Sequence, residues 1–166
     1  MSASSEEYTS EDDRHMLASI ALSERAVAHG NFPFGALLVD EHGAVLLEAE
    51  NTVSTARDST GHSEINLMRA ASLRYSLDEL AHCTLYVSAE PCAMCAAAIF
   101  WGGVGRVVFG LGVEGVVEVA EGAHPVPTLA IPCREIFDRC AGRVRVSGPH
   151  REAEARAVHA RFWPEF

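Results

Sequence analysis

Lysine is absent. All 13 basic residues are arginines, set against 23 aspartates and glutamates, for a formal net charge of −10. A protein whose affinity rests on phosphate contacts normally presents a basic face. This balance therefore disfavours tight binding to a large nucleic acid and favours substrates small enough to enter a pocket. No run of about 20 apolar residues is present, which excludes a helical membrane span. The opening stretch MSASSEEYTSEDD has neither the basic start nor the apolar core of a signal peptide, so the expected compartment is the cytoplasm. The five cysteines, Cys83, Cys92, Cys95, Cys133 and Cys140, are an odd number in a chain without export signals. That argues against a disulfide framework and for thiols in the core or on a metal.

What is present suits one domain. The chain has 166 residues, 48% of them apolar and arranged in blocks. Residues 1–8 read as a flexible acidic tail and 9–166 as a single domain, without repeats or a linker. A helix is expected from Thr9 or Ser10, with Glu11, Asp12 and Asp13 in its first turn and a stop at Gly30. FGALLVD and AVLLEAE around EHG read as a β-hairpin of two largely buried strands. A helix from His62, the strand CTLYVS, a helix over 91–101 with Pro91 at its first position, and the strand RVVFG follow. Residues 111–127 read as either a short helix or irregular structure. CREIFDRCAG reads as helical, RVRVS as a fifth strand and HREAEARAVHARFW as a closing helix. The order α-β-β-α-β-α-β-(α)-β-α predicts an α/β fold, a mixed five-stranded sheet flanked by helices. The glycine-rich GGVGRVVFGLG leads from a helix into a strand, the reverse of a dinucleotide fingerprint, and reads as a turn plus strand.

Three readings fit Cys92-x-x-Cys95 on its own: a redox pair, half of a metal site, or two buried thiols. His62 and Glu64 open a helix just as the two cysteines do. One histidine and two cysteines supply three ligands, and three protein ligands with a free fourth position describe a catalytic zinc. Cys92 and Cys95, three apart in a first helical turn, face the same way. His62 and Glu64 are separated by roughly 200° at ~3.6 residues per turn, so His62 is assigned to the metal and Glu64 to the open position. Helix N-termini favour thiolates, and a zinc-bound water whose pKa falls toward ~7 is a nucleophile whose proton Glu64 can move.

His62-x-Glu64 followed by Pro91-Cys92-x-x-Cys95 resembles the signature of the zinc-dependent cytidine deaminase superfamily. The resemblance runs from about residue 10 to 110 and includes FPFGALLVD, Asn51 and LYVSAEPCAMCAAAIFWGGVGRVVFG. It implies that superfamily's three-layer α-β-α fold, one Zn²⁺ per subunit and a homodimer, with the helix at 91–101 as a candidate interface. A fourth and fifth strand joined by a helix is similar to its purine-base and tRNA-adenosine branch.

Within the superfamily the chain resembles guanine deaminases and their nucleobase-deaminating relatives. By that resemblance Phe34 and His62 sandwich a base, Asn51 bonds its carbonyl edge, Trp101 lines the pocket, and Ser88 adds a substrate contact. Two features depart from the pattern. Ser63 stands where alanine is usual, which adds a hydroxyl near the base. An acidic proton shuttle from a later loop has candidates in Glu114, Glu118 and Glu121, with no single match. Phe162, Trp163, Glu165 and Phe166 are candidates for a C-terminal lid. Packing of a terminal helix is the alternative. The expected reaction is hydrolytic deamination of a free nucleobase, with guanine to xanthine and ammonia first, cytosine second and tRNA adenosine third. A non-catalytic zinc-binding subunit and a redox protein remain as other classes.

Overall fold

The computed structural model describes residues 8–121, 123 and 129–163. In chain order its elements are α1 (Ser10–Ala28), β1 (Gly35–Val39), β2 (Val45–Glu50), α2 (Val53–Ala56), α3 (Ser63–Ser72), α4 (Leu77–Ala81), β3 (Thr84–Ala89), α5 (Ala93–Gly102), β4 (Arg106–Leu111), α6 (Val113–Ala120), α7 (Cys133–Phe137), β5 (Arg145–Ser147) and α8 (Glu152–Phe162). The strands form one sheet in the order β2-β1-β3-β4-β5. β1 is antiparallel to both β2 and β3, whereas β3, β4 and β5 run parallel. A parallel pair requires a crossover, and α6 and α7 lie in the one between β4 and β5.

Strand alternation sorts side chains into two cores. Leu37, Val39, Tyr86 and Val108 pack with Met16 and Leu22 of α1. Ala36, Leu38, Leu85, Val87, Val107 and Phe109 pack with Leu67, Met68 and Ala71 of α3 and Ala96 and Ile99 of α5. Both faces of the sheet are therefore covered, which is why β1 is buried at every position and reads as an unbroken apolar run. α1 lies so close to β1 that a Cβ at Gly35 would stand 2.5 Å from the Leu22 Cβ.

The start of α1 carries a capping box. Thr9 Oγ1 accepts the Asp12 N–H at 3.1 Å, and the Asp12 carboxylate accepts the Thr9 N–H at 2.8 Å. Asp12 does more than favour the helix dipole. It is buried, receives two bonds from the Arg106 guanidinium at 2.6 and 3.2 Å, and accepts the Tyr86 hydroxyl at 2.7 Å. This pair fastens α1 to the start of β4.

Several expectations need correction. β2 is an edge strand, half-buried to exposed along its length, because no strand among the described residues pairs its outer side. Pro91 is not the first residue of α5; Cys92 takes the N-cap and the helix starts at Ala93. Residues 113–120 are helical, which settles part of the 111–127 ambiguity, and the short α2 and α4 were not foreseen. Tyr8, assigned to the tail, is half-buried: its ring stacks on His150 at 3.8 Å and its hydroxyl bonds Asp13 at 3.2 Å. The rest of the expected tail, residues 1–7, lies outside the described residues.

Replacing Asp12 with alanine is expected to destabilise the fold by about 3–5 kcal/mol in urea unfolding, because it removes the buried carboxylate that accepts from Arg106, the Tyr86 hydroxyl and the Thr9 N–H. Burial alone would raise the Asp12 pKa, but the hydrogen bonds from Arg106, Tyr86 and Thr9 outweigh it and hold the carboxyl well below its usual range. Its contribution is thus complete above the unfolded pKa of about 4 and is lost as the pH falls toward the depressed folded value. Asp12→Asn should flatten that acid limb.

Candidate metal centre

α3 and α5 pack against each other on one face of the sheet, and the residue before each is its N-cap: His62 for α3 and Cys92 for α5. Neither side chain caps its own helix. Both turn to a shared point instead. The loop leading to His62 is pinned by the Asn66 side-chain amide, which donates to the Glu50 carbonyl and Thr52 Oγ1 at 2.9 Å and to the Gly61 carbonyl at 3.3 Å. Asn31 Oδ1 holds the same loop from outside, accepting from the Thr55 N–H and hydroxyl at 3.0 Å.

His62 Nδ1 lies 3.6 Å from Cys92 Sγ and 3.5 Å from Cys95 Sγ, and the two sulfurs are 3.5 Å apart. A tetrahedral ion with Zn–S of ~2.3 Å and Zn–N of ~2.0–2.1 Å needs edges of about 3.8 Å between sulfurs and about 3.6 Å between sulfur and nitrogen. The observed triangle fits that ion within a few tenths of an ångström, and the N/S₂ donor set suits zinc. Among the described residues it is the only cluster of three such ligands.

The cysteines are electrostatically distinct. The hydrogen bond from Cys95, aided by His62 and opposed by burial, draws the Cys92 thiol down to about 4. The same bond and burial push Cys95 up. Two sulfurs sharing one proton bind a divalent cation with proton release. Hydrogen bonding to Cys92 raises the His62 pKa. Glu64, in the first turn of α3, is only 5% exposed, and burial pushes its carboxyl up. The Ser63 hydroxyl donates to Glu64 Oε2 at 2.8 Å, so the extra hydroxyl is spent on the carboxylate.

The other predicted site residues differ in burial and in partners. Asn51 is buried; its N–H donates to the Phe34 carbonyl at 3.0 Å and its Oδ1 accepts the Val53 N–H at 3.0 Å. That leaves the amide nitrogen as the group it presents. Ser88 Oγ accepts the Gly35 N–H at 3.0 Å, tying β1 to β3 next to Phe34. The Phe34 ring is half-buried and packs against the cluster of Ile20, Ala89, Leu111, Val116, Ala155 and Val158. Trp101 is not brought to a pocket wall of this chain: it stands on the surface at the end of α5, 77% exposed, because the preceding turns bury Cys95, Ala96 and Ile99 instead. Glu114 and Glu121 are exposed, and Glu118 pairs with Arg156 of α8 at 3.0 Å. Phe162 packs edge-on against Phe32 at 5.9 Å, and Trp163 is buried and stacked on the same ring at 5.6 Å. Glu165 and Phe166 lie outside the described residues.

Sequence reasoning missed Glu90. Its carboxylate accepts the Val113 N–H at 2.9 Å and the Cys133 N–H at 2.8 Å, the first residues of α6 and α7. One side chain thus ties the Pro91–Cys95 turn to both helices of the last crossover. An acid before Pro-Cys was the only local signal; its partners are 23 and 43 residues away.

Comparison with known proteins agrees with this geometry. Residues 9–111 match the cytidine and deoxycytidylate deaminase zinc-binding region, and the chain belongs to that family. It is 38% identical over 161 residues to a probable cytosine deaminase of Schizosaccharomyces pombe, across 96% of this chain and 97% of that protein. It is 37% identical over 99 residues to a tRNA-specific adenosine deaminase of Haemophilus influenzae, across 60% of this chain and 57% of that protein. A solved guanine deaminase from Nitrosomonas europaea shares the fold, with a TM-score of 0.75 at 24% identity over 94% of this chain and 85% of that one.

Glu90→Ala is expected to lower stability by about 2 kcal/mol or more, since two N–H groups lose their acceptor. It should also weaken zinc binding roughly tenfold, as loss of a group supporting a ligand turn does. Unfolding curves and competition with a chelating dye measure the two effects.

Proposed function

We propose that the chain is a zinc-dependent aminohydrolase of free nucleobases, with one ion per chain held by His62, Cys92 and Cys95. The observation that carries this reading is Glu64: a buried carboxylate two residues from the histidine of an N/S₂ triad. A metal site alone does not require it. A non-catalytic zinc subunit is correspondingly disfavoured. A bound zinc ion would supply the Lewis acidity that makes water a nucleophile near neutral pH. Glu64 takes a proton from the water and delivers it to the ring nitrogen beside the amino-bearing carbon. It then carries the second proton to the departing amine. The oxygen of the water becomes the new carbonyl, and its two hydrogens end on the ring nitrogen and in ammonia.

Phe34 and His62 would stack on the base, and the Asn51 amide would donate to its carbonyl. Cytosine and guanine both carry an amino group beside a ring nitrogen. Cytosine is the first base to assay, because the probable cytosine deaminase resembles this chain along almost its whole length, beyond the family region that ends at residue 111. Guanine is the second. Adenosine in tRNA comes third, since 13 arginines against 23 acids offer little to a folded polyanion.

Two broader readings complete the proposal. Met94, Ala97, Ala98 and Trp101 form an apolar stripe at helical spacing on the outer side of α5, near the exposed Leu77 of α4. A second copy of the chain would cover it, giving a homodimer. No helix among the described residues is long and apolar enough to cross a membrane. The free cysteines fit the reducing cytoplasm. Residues 9–166 would act as a single domain.

With purified protein, ammonia release from cytosine or guanine is expected. Glu64→Ala should keep its zinc yet lose at least ~10²-fold in kcat. Release only from tRNA would reverse the substrate order, and full activity of Glu64→Ala would remove its assigned role. Trp101→Arg should sediment at the chain mass where the wild type sediments at twice that mass.

A further inference from the structure

His159 lies on the inward side of α8 and is 1% exposed. Its Nδ1 is bonded to Trp163 Nε1 at 3.1 Å. An indole nitrogen only donates, so Nδ1 is the acceptor and the ring hydrogen resides on Nε2. Burial keeps the ring neutral, drawing its pKa down to about 4, with Arg156 adding to the effect. Among the described residues, His159 Nε2 is the only buried side-chain nitrogen or oxygen without a hydrogen-bond partner. A buried donor left without an acceptor is costly and calls for an explanation such as a ligand.

The surroundings suggest which ligand. The His159 ring meets Phe34 edge to face, with centres 5.0 Å apart and planes at 74°. Phe34 accepts the Asn51 N–H on its carbonyl, and the neighbouring Gly35 N–H is held by Ser88. The ring that carries the lone donor thus packs on Phe34, one of the residues to which base contacts are assigned above. Trp163 orients it from behind while stacking on Phe32 at 5.6 Å. The other residues of this end of α8, Ala155 and Val158, pack with Ala89 and Leu111 and offer no acceptor in their side chains.

We propose that His159 is a substrate-reading residue: its Nε2–H donates to a carbonyl oxygen or unprotonated ring nitrogen of the bound base, beside Phe34. This inference rests on the nucleobase reading given above. Trp163 acts through it as a positioning residue, fixing the tautomer that makes Nε2 the donor.

The test uses the zinc-loaded protein labelled with ¹⁵N-histidine. The His159 Nε2–H resonance, identified by its loss in His159→Phe, should move downfield when the base that the enzyme turns over is added with Glu64→Ala present to block turnover. In steady-state kinetics His159→Phe should raise KM about tenfold with kcat changed by less than about threefold, as expected for loss of one hydrogen bond made equally in ground and transition states. His159→Gln, which keeps an acceptor for Trp163 and a donor beyond it, should recover most of that loss. An unmoved resonance, or a KM for His159→Phe within about twofold of wild type, would mean that the N–H merely faces the Phe34 ring, and the inference falls. If His159→Phe does not fold, the resonance is identified by its loss in His159→Gln, and its shift on adding the base to the otherwise intact protein decides. A wild-type protein that neither binds nor deaminates any base would overturn the nucleobase reading itself, and this inference with it. Normal wild-type turnover with unaffected His159 variants overturns this inference alone.

Discussion

Everything at the site depends on two helix N-termini meeting. His62 and Cys92 are N-caps that give their own helices no side-chain bond, and Cys95 sits one turn further along the second helix. Their three donor atoms stand 3.5–3.6 Å apart. Such a triangle tolerates little error, because metal–ligand distances vary by only about 0.2 Å. The tolerance is met by stiff packing. Leu67, Met68 and Ala71 of α3 lie in one core with Ala96 and Ile99 of α5, all nearly fully buried. The positive ends of both helix dipoles also point at the place where thiolate charge is needed.

Polar side chains then hold the loops that such packing cannot reach. Asn66 and Asn31 fasten the loop before His62, Ser88 joins β1 to β3, and Glu90 fastens the turn after β3 to α6 and α7. Each satisfies backbone groups that a buried loop would otherwise leave unpaired. The result is a site at the carboxyl ends of the parallel strands β3 and β4, where ligands of open α/β sheets bind. At the opposite ends of those strands the buried Asp12–Arg106 pair locks α1 across the sheet.

Much of this was legible in advance, for identifiable reasons. The strands and the long helices follow from apolar periodicity, and the cluster that could hold a metal follows from residue types whose chemistry has few other uses at that spacing. Elements whose signals are non-local were misread or missed. β2 looks as apolar as β1, and only its place at the sheet edge leaves it half-exposed. Trp101 looks like a pocket wall, and only the rotation of α5 turns it outward. Glu90 and Asp12 look like ordinary surface acids until partners 23 to 94 residues away arrive beside them.

The sequence by itself determined the family and pointed to the His62, Cys92 and Cys95 cluster and the nearby Glu64, because each is written in residue identity and in spacings shorter than a helical turn. Only the tertiary structure decided which of the remaining polar groups support the site and which stand apart from it. His159 gains its meaning from Phe34 and Trp163, one far along the chain and one a turn away, and no local pattern encodes an N–H left without a partner. Hydrogen-bond satisfaction is a property of the packed whole, and it becomes visible only when every neighbour is in place.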